Sequence, residues 1–117
     1  IMANPRKMLE EFHNGMEEVQ ETNSDQVKAC MNMLENYYKP SSIDTKTKEL
    51  ISVAVAAYAR CEYCIVFHVY KAFEAGADKD EIMDAAMTSV AFGGGPSMTY
   101  TVTLVKESVE EFASDFE

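Results

Sequence analysis

The sequence predicts an all-α protein of about six helices, built round a central apolar helix hairpin. Three observations predict it. Apolar residues recur at three- and four-residue spacing along the chain, and strand-like alternation persists nowhere. Helix start and stop residues punctuate these periodic stretches. The run from Leu50 to Ala57 is apolar on every side, the pattern of a helix with neighbours all round it.

Each element follows from local chemistry. Asn4 before Pro5 is a helix start, a capping side chain followed by a residue that needs no amide donor. Met8, Phe12, Met16 and Val19 then mark an apolar stripe, with Glu10, Glu11, Glu17 and Glu18 on the other faces. Thr22-Asn23-Ser24 breaks this helix. A second opens near Ser24 and is expected to carry Val27, Cys30, Leu34, Tyr37 and Tyr38 inward, with Cys30 as a small core hydrophobe. His13 is expected at the surface. Pro40 ends the second helix, because proline disfavours helix in the residue before it.

Asp44 caps a third helix, the apolar one, which is expected to be central. A fourth begins near Cys61 and runs to Ala75, with Gly76 closing it in a left-handed conformation. Asp78 with Glu81 three residues later is a variant capping box that opens a fifth helix bearing Ile82, Ala85, Ala86, Ser89 and Val90. Gly93-Gly94-Gly95-Pro96 reads as a flexible turn, since no Lys-Ser/Thr pair follows it as in a phosphate loop. A sixth helix runs from about Pro96 to near Phe112. Short connections make neighbouring helices mostly antiparallel. The eight methionines read as core filler or oligomer-interface residues, with Met87 and Met98 as pocket-lining alternatives.

The chain of 117 residues is expected to be one domain spanning 1–117. Only about two-thirds of its extended surface is buried at this size, so oligomerisation would help it. Acidic residues number 20 against 10 basic, a net charge of −10 that would repel phosphate backbones and anionic bilayers. Nucleic-acid and membrane binding are therefore not expected. The longest nearly uncharged run, Leu50 to Ala59, is about half a membrane span. Ile1 to Glu10 lacks the apolar core of a signal peptide, and Ile1 ahead of Met2 reads as an expression remnant. Three cysteines do not make a secreted disulfide framework, so a cytoplasmic location is expected.

The chemistry lies in Glu49, Cys61-Glu62-Tyr63-Cys64 and His68. In a helix, residues three and four apart share a face. Cys61 and Cys64 would then have Cα atoms about 5 Å apart, within disulfide reach. Unpaired amides and the positive dipole end of a helix start favour the thiolate, the reactive form. His68 stands one turn beyond Cys64 and can take its proton. On one unbroken helix Glu49 would be about 18 Å from Cys61, too far for a relay. If the chain turns near Tyr58 to Arg60, Glu49 faces His68 and can fix its tautomer. These four side chains also count as a zinc set. Structural zinc, however, usually uses two separated ligand pairs. A redox role is therefore preferred over metal binding or simple packing, and no metal or other cofactor is expected.

This spacing resembles the motif of the alkylhydroperoxidase D-like group within the carboxymuconolactone decarboxylase family. Supporting context comes from Asp44-Thr-Lys-Thr-Lys-Glu-Leu-Ile, from Glu74-Ala-Gly76-Ala-Asp-Lys-Asp-Glu81-Ile, and from Gly94-Gly-Pro96. The resemblance covers about Ile43 to Pro96. It implies an alkylhydroperoxidase D-like helical bundle whose small subunits assemble as trimers or hexamers. It also implies peroxide reduction. Cys64 would become a sulfenic acid, and Cys61 would give the leaving oxygen its proton and then close the disulfide. His68 and Glu49 would form the proton relay. A dithiol partner, in characterised members a lipoyl-bearing protein, would restore the thiols. Tyr63 stands where the best-studied peroxidase of the group has a histidine. The decarboxylase branch does not depend on a cysteine pair. Lactone decarboxylation with His68 and Glu49 as acid and base stays open as the alternative, as does a redox-switched structural oligomer.

Overall fold

The computed structural model describes residues 4–117, so the reading of Ile1 and Met2 lies outside it. The described residues form helices α1 (Pro5–Thr22), α2 (Ser24–Tyr38), α3 (Thr45–Ala59), α4 (Glu62–Glu74), α5 (Lys79–Thr88), α6 (Val90–Tyr100) and α7 (Lys106–Phe112). A π-helical segment, Thr101–Val105, joins α6 to α7, and a 3₁₀ turn, Ala113–Phe116, follows. No strand occurs among the described residues, as the sequence predicts.

The core is the α3–α4 hairpin and what closes over it. Val53, Ala56 and Ala57 of α3 meet Ile65, Val66, Val69, Ala72 and Phe73 of α4. Ala77 just ahead of α5, Ile82 and Ala86 of α5, Leu104 and Val105 of the π-helical segment, and Val109 and Phe112 of α7 extend the cluster. Burying each of the larger side chains contributes about 1.5–3 kcal/mol. Leu9 of α1 joins the same cluster. Arg6 holds α1 to α7 and to the turn that follows it, pairing with Glu111 at 2.8 Å and Asp115 at 2.9 Å.

The predicted caps form. Asn4 accepts from the Lys7 amide at 3.0 Å, and Asp44 from the Thr47 amide at 2.8 Å. Asp78 and Glu81 make a reciprocal capping box at 2.8 and 3.1 Å. Both hairpin helices end in the same way. At the end of α4 the Ala77 amide bonds Ala72 O and the Gly76 amide bonds Phe73 O, both at 2.9 Å. At the end of α3 the Cys61 amide bonds Ala56 O at 3.1 Å and the Arg60 amide bonds Ala57 O at 3.4 Å. This double bond pattern needs a left-handed residue. Gly76 supplies it at φ 99°, and Arg60 at φ 57°.

Four expectations need correction. The glycine run is no flexible turn. Only Gly94 is non-helical, at φ 60° and ψ −139°, and helix continues on both sides. Pro96 fits because it sits in the first turn after the break, where an amide has no partner. Gly93 is required by packing, since a Cβ there would lie 1.8 Å from Ser97 Oγ. Cys30 is exposed, not a core residue. Of the α2 residues expected inward, Val27 alone is buried, while Leu34 and Tyr38 are partly covered and Tyr37 is exposed. α2 packs mainly on α1 at the molecule's edge, so solvent takes much of its apolar face. α3 is central on one side only. Ile51, Val55 and Tyr58 are more than half exposed.

Candidate functional site

The left-handed turn at Arg60 reverses the chain and sets the register of the α3–α4 hairpin. Cys61 then occupies the N-cap of α4, and Cys64 stands in its first turn. The two are joined by a disulfide, with Cα atoms 5.2 Å apart. The predicted separation and pairing are thus both present. Amides of the first turn of α4 have no intrahelical partner and face the sulfurs' end of the helix.

His68 lies one turn past Cys64. Its Nδ1 is 2.7 Å from Oε1 of Glu49. The hairpin therefore brings together the two residues that an unbroken helix would hold apart. Side-chain exposure is 3% for Glu49 and 14% for His68, so the pair is largely withdrawn from water. A carboxylate can only accept. With Glu49 ionised, the shared hydrogen sits on Nδ1, and Nε2 is left as the atom that takes or gives a proton. Burial of an unpaired carboxylate would cost several kcal/mol, which the imidazole offsets.

Aromatic rings frame the imidazole. Phe67 meets it edge-on, with centroids 5.0 Å apart. Tyr38 stacks on it, with centroids 5.5 Å apart and planes 24° from parallel. A cavity of about 580 Å³ opens beside Glu49, with Met31, Leu34, Tyr38, Phe67 and Lys71 among its walls. Tyr63, between the cysteines, donates to Glu11 Oε2 of α1 at 2.8 Å. That hydrogen bond, reinforced by the Glu11 charge, raises the phenol's titration above its ordinary value. Tyr63 is therefore a tether to α1 and not a base.

The structure joins the four predicted residues as two pairs, Cys61 with Cys64 and Glu49 with His68, and His68 lies one helical turn beyond Cys64 on α4. Cys30 stands apart from the disulfide, free and exposed. His13 is at the surface as expected, packed edge-on against Phe67. Tyr38 was expected inward, but its contact with His68 has no signal in the sequence. A second surface feature is an open apolar groove of about 350 Å³ lined by Ile51, Ala54, Val55, Tyr58, Thr88 and Phe92. No described helix is long and apolar enough to cross a membrane.

The family model described as the carboxymuconolactone decarboxylase family matches residues 25–107. A carboxymuconolactone decarboxylase family protein of Legionella pneumophila, solved in its apo form, superposes with a TM-score of 0.87 at 25% identity, covering 93% of this chain and 96% of that one. A family protein of Thermotoga maritima with a suggested role in the antioxidative response superposes with a TM-score of 0.74 at 26% identity, covering 95% and 97%. An uncharacterised protein of Cupriavidus necator is 32% identical over 59 residues, 50% of this chain and 52% of that protein. The chain thus spans about half the length of the curated relatives it matches.

Proposed function

The chain belongs to the carboxymuconolactone decarboxylase family, and on that premise we propose that it is a thiol-dependent oxidoreductase that reduces peroxides. One observation carries the reading. A Cys61–Cys64 disulfide at a helix start stands one turn from a half-buried imidazole, one nitrogen of which is held by a buried carboxylate. Neither a packing role nor a structural disulfide needs that relay.

The cycle balances as follows. The reduced Cys64 thiolate attacks one peroxide oxygen, the O–O bond breaks, and Cys64 becomes a sulfenic acid. The departing alkoxide takes a proton from Cys61, by way of His68 Nε2. The Cys61 thiolate then attacks the Cys64 sulfur and expels hydroxide, which leaves as water after protonation. A dithiol of the lipoyl class reduces the disulfide and is itself oxidised. The sum converts peroxide and dithiol to alcohol, water and disulfide, within the reversible part of the cysteine oxidation ladder. Glu49 keeps the imidazole in the tautomer this shuttle needs.

The partners proposed are the peroxide, the dithiol and further copies of this chain, assembled as a trimer or hexamer in the cytoplasm. The exposed apolar groove on α3 and Phe92 supports the assembly.

The test is peroxide consumption coupled to dihydrolipoamide oxidation. Wild type should turn over many times, and Cys64→Ser should lose turnover while keeping its fold. Turnover of a muconolactone that persists in a Cys61→Ser/Cys64→Ser variant would instead establish the lactone chemistry.

A further inference from the structure

We propose that Tyr38 is a positioning residue of the redox centre, which fixes the plane of the His68 imidazole and offers its ring face to the imidazolium that forms when His68 takes the Cys64 proton. The proposal rests on the thiol reading above. Tyr38 ends α2, and its ring stacks on the imidazole at 5.5 Å between centroids. Its backbone carbonyl and its hydroxyl are both tied to α3. Its carbonyl accepts from Thr45 Oγ1 at 2.7 Å. Its hydroxyl bonds Ser52 Oγ. Ser52 Oγ already donates to Lys48 O at 2.9 Å, so the hydrogen between the two hydroxyls comes from Tyr38.

Thr45, Glu49 and Ser52 are four and three residues apart and share one face of α3. That face therefore holds the imidazole twice. Glu49 holds its edge directly, through Nδ1. Thr45 and Ser52 hold it indirectly, by fixing the ring that covers its face. An imidazole fixed at one nitrogen can still swing about that bond. A ring stacked on it stops the swing, and Nε2 keeps one direction. A phenol face also attracts a cation, most strongly where water is scarce. An imidazolium held under that ring, with Nε2 kept in one direction, is placed to stabilise the Cys64 thiolate.

The titratable groups that line the cavity beside Glu49 and Tyr38 are Glu35 on α2, Lys39 at its C-cap, and Lys71 and Glu74 on α4, while Cys64 lies one turn before His68 on α4. Lys71 is paired with Glu74 at 2.6 Å. His13 of α1 lies beyond the Phe67 ring.

The experiment uses reduced protein in a Cys30→Ser background, since Cys30 is exposed and would react too. The iodoacetamide alkylation rate of the 61–71 peptide is followed against pH by mass spectrometry. Tyr38→Leu should move the midpoint of that profile upward by about half a pH unit. It should also lower peroxide kcat several-fold with KM nearly unchanged. Tyr38→Phe keeps the ring and should keep the midpoint. A Tyr38→Leu profile that superimposes on wild type, or that is scaled equally at every pH, overturns the proposal. So does a Tyr38→Phe midpoint shifted as far as that of Leu. If Tyr38→Leu fails to fold, Tyr38→Met fills the same space without an aromatic face, and the same midpoints decide. Absence of peroxide turnover in wild type would count against peroxide as substrate, while the alkylation profiles would still decide the role of Tyr38.

Discussion

Arg60 carries the reversal on which the site depends, in a conformation that costs an L-residue about 1–2 kcal/mol. Glycine would remove that cost and add back about 0.5–1 kcal/mol of unfolded-chain entropy. Arg60→Gly should therefore stabilise the protein by up to about 1 kcal/mol, read as a higher urea midpoint at unchanged m-value. An unchanged or lower midpoint would mean that the arginine side chain offsets its own strain. The turn itself was legible without glycine, because Glu49 and His68 make chemical sense only if the chain reverses between them. The 2.7 Å contact bears out that register. Tyr38 was not legible as a site residue. Its contact joins α2 to α4, and nothing in the local pattern separates it from Tyr37, which points to solvent.

At the scale of elements, caps and charges tie α3 to α5 at their N-termini. Asp44 is held below its ordinary 3.8, first by hydrogen bonds from Thr47. Glu81 is held below its ordinary 4.5, first by the Asp78 amide and then by Lys46, which bridges to it at 3.0 Å. Carboxylates depressed in the folded state stabilise it above their unfolded values. That contribution is lost as pH falls below 4.5 and then 3.8, through the lower folded-state values. Asn still caps a helix but does not titrate. Asp44→Asn with Glu81→Gln should thus flatten the fall of Tm on acidification, and an equally steep fall in the double variant would contradict the assignment. These caps are legible because they are written in three or four adjacent residues. The glycine run looks like a loop because it sets four breakers in a row, whereas one residue, Gly94, takes the whole break. The π-helical Thr101–Val105 has no such signature. Nor does periodicity say what covers an apolar face, so α2 and α3 were both expected to be more buried than they are.

For the whole molecule the open question of coverage becomes one of assembly. Phe92 is 85% exposed and Val55 57%, and both line the same apolar groove. Large aromatics rarely stand so bare on a monomer, and contiguous apolar surface marks an interface. A net charge of −10 on each copy works the other way, because copies repel until salt screens them. The screening length falls several-fold between about 0.01 and 1 M salt, so assembly should tighten with ionic strength. Light scattering after size exclusion should give three or six times 13.1 kDa for wild type at high salt, with partial dissociation at low salt. Val55→Glu with Phe92→Glu would place two negative charges in such a contact, and should yield monomer at every salt concentration. Neither residue touches Glu49, His68 or the disulfide, so alkylation of the reduced 61–71 peptide should continue in the monomer. A double variant that still assembles would move the interface to another face. A wild type of single-chain mass at high salt would leave the groove without a second copy to fill it.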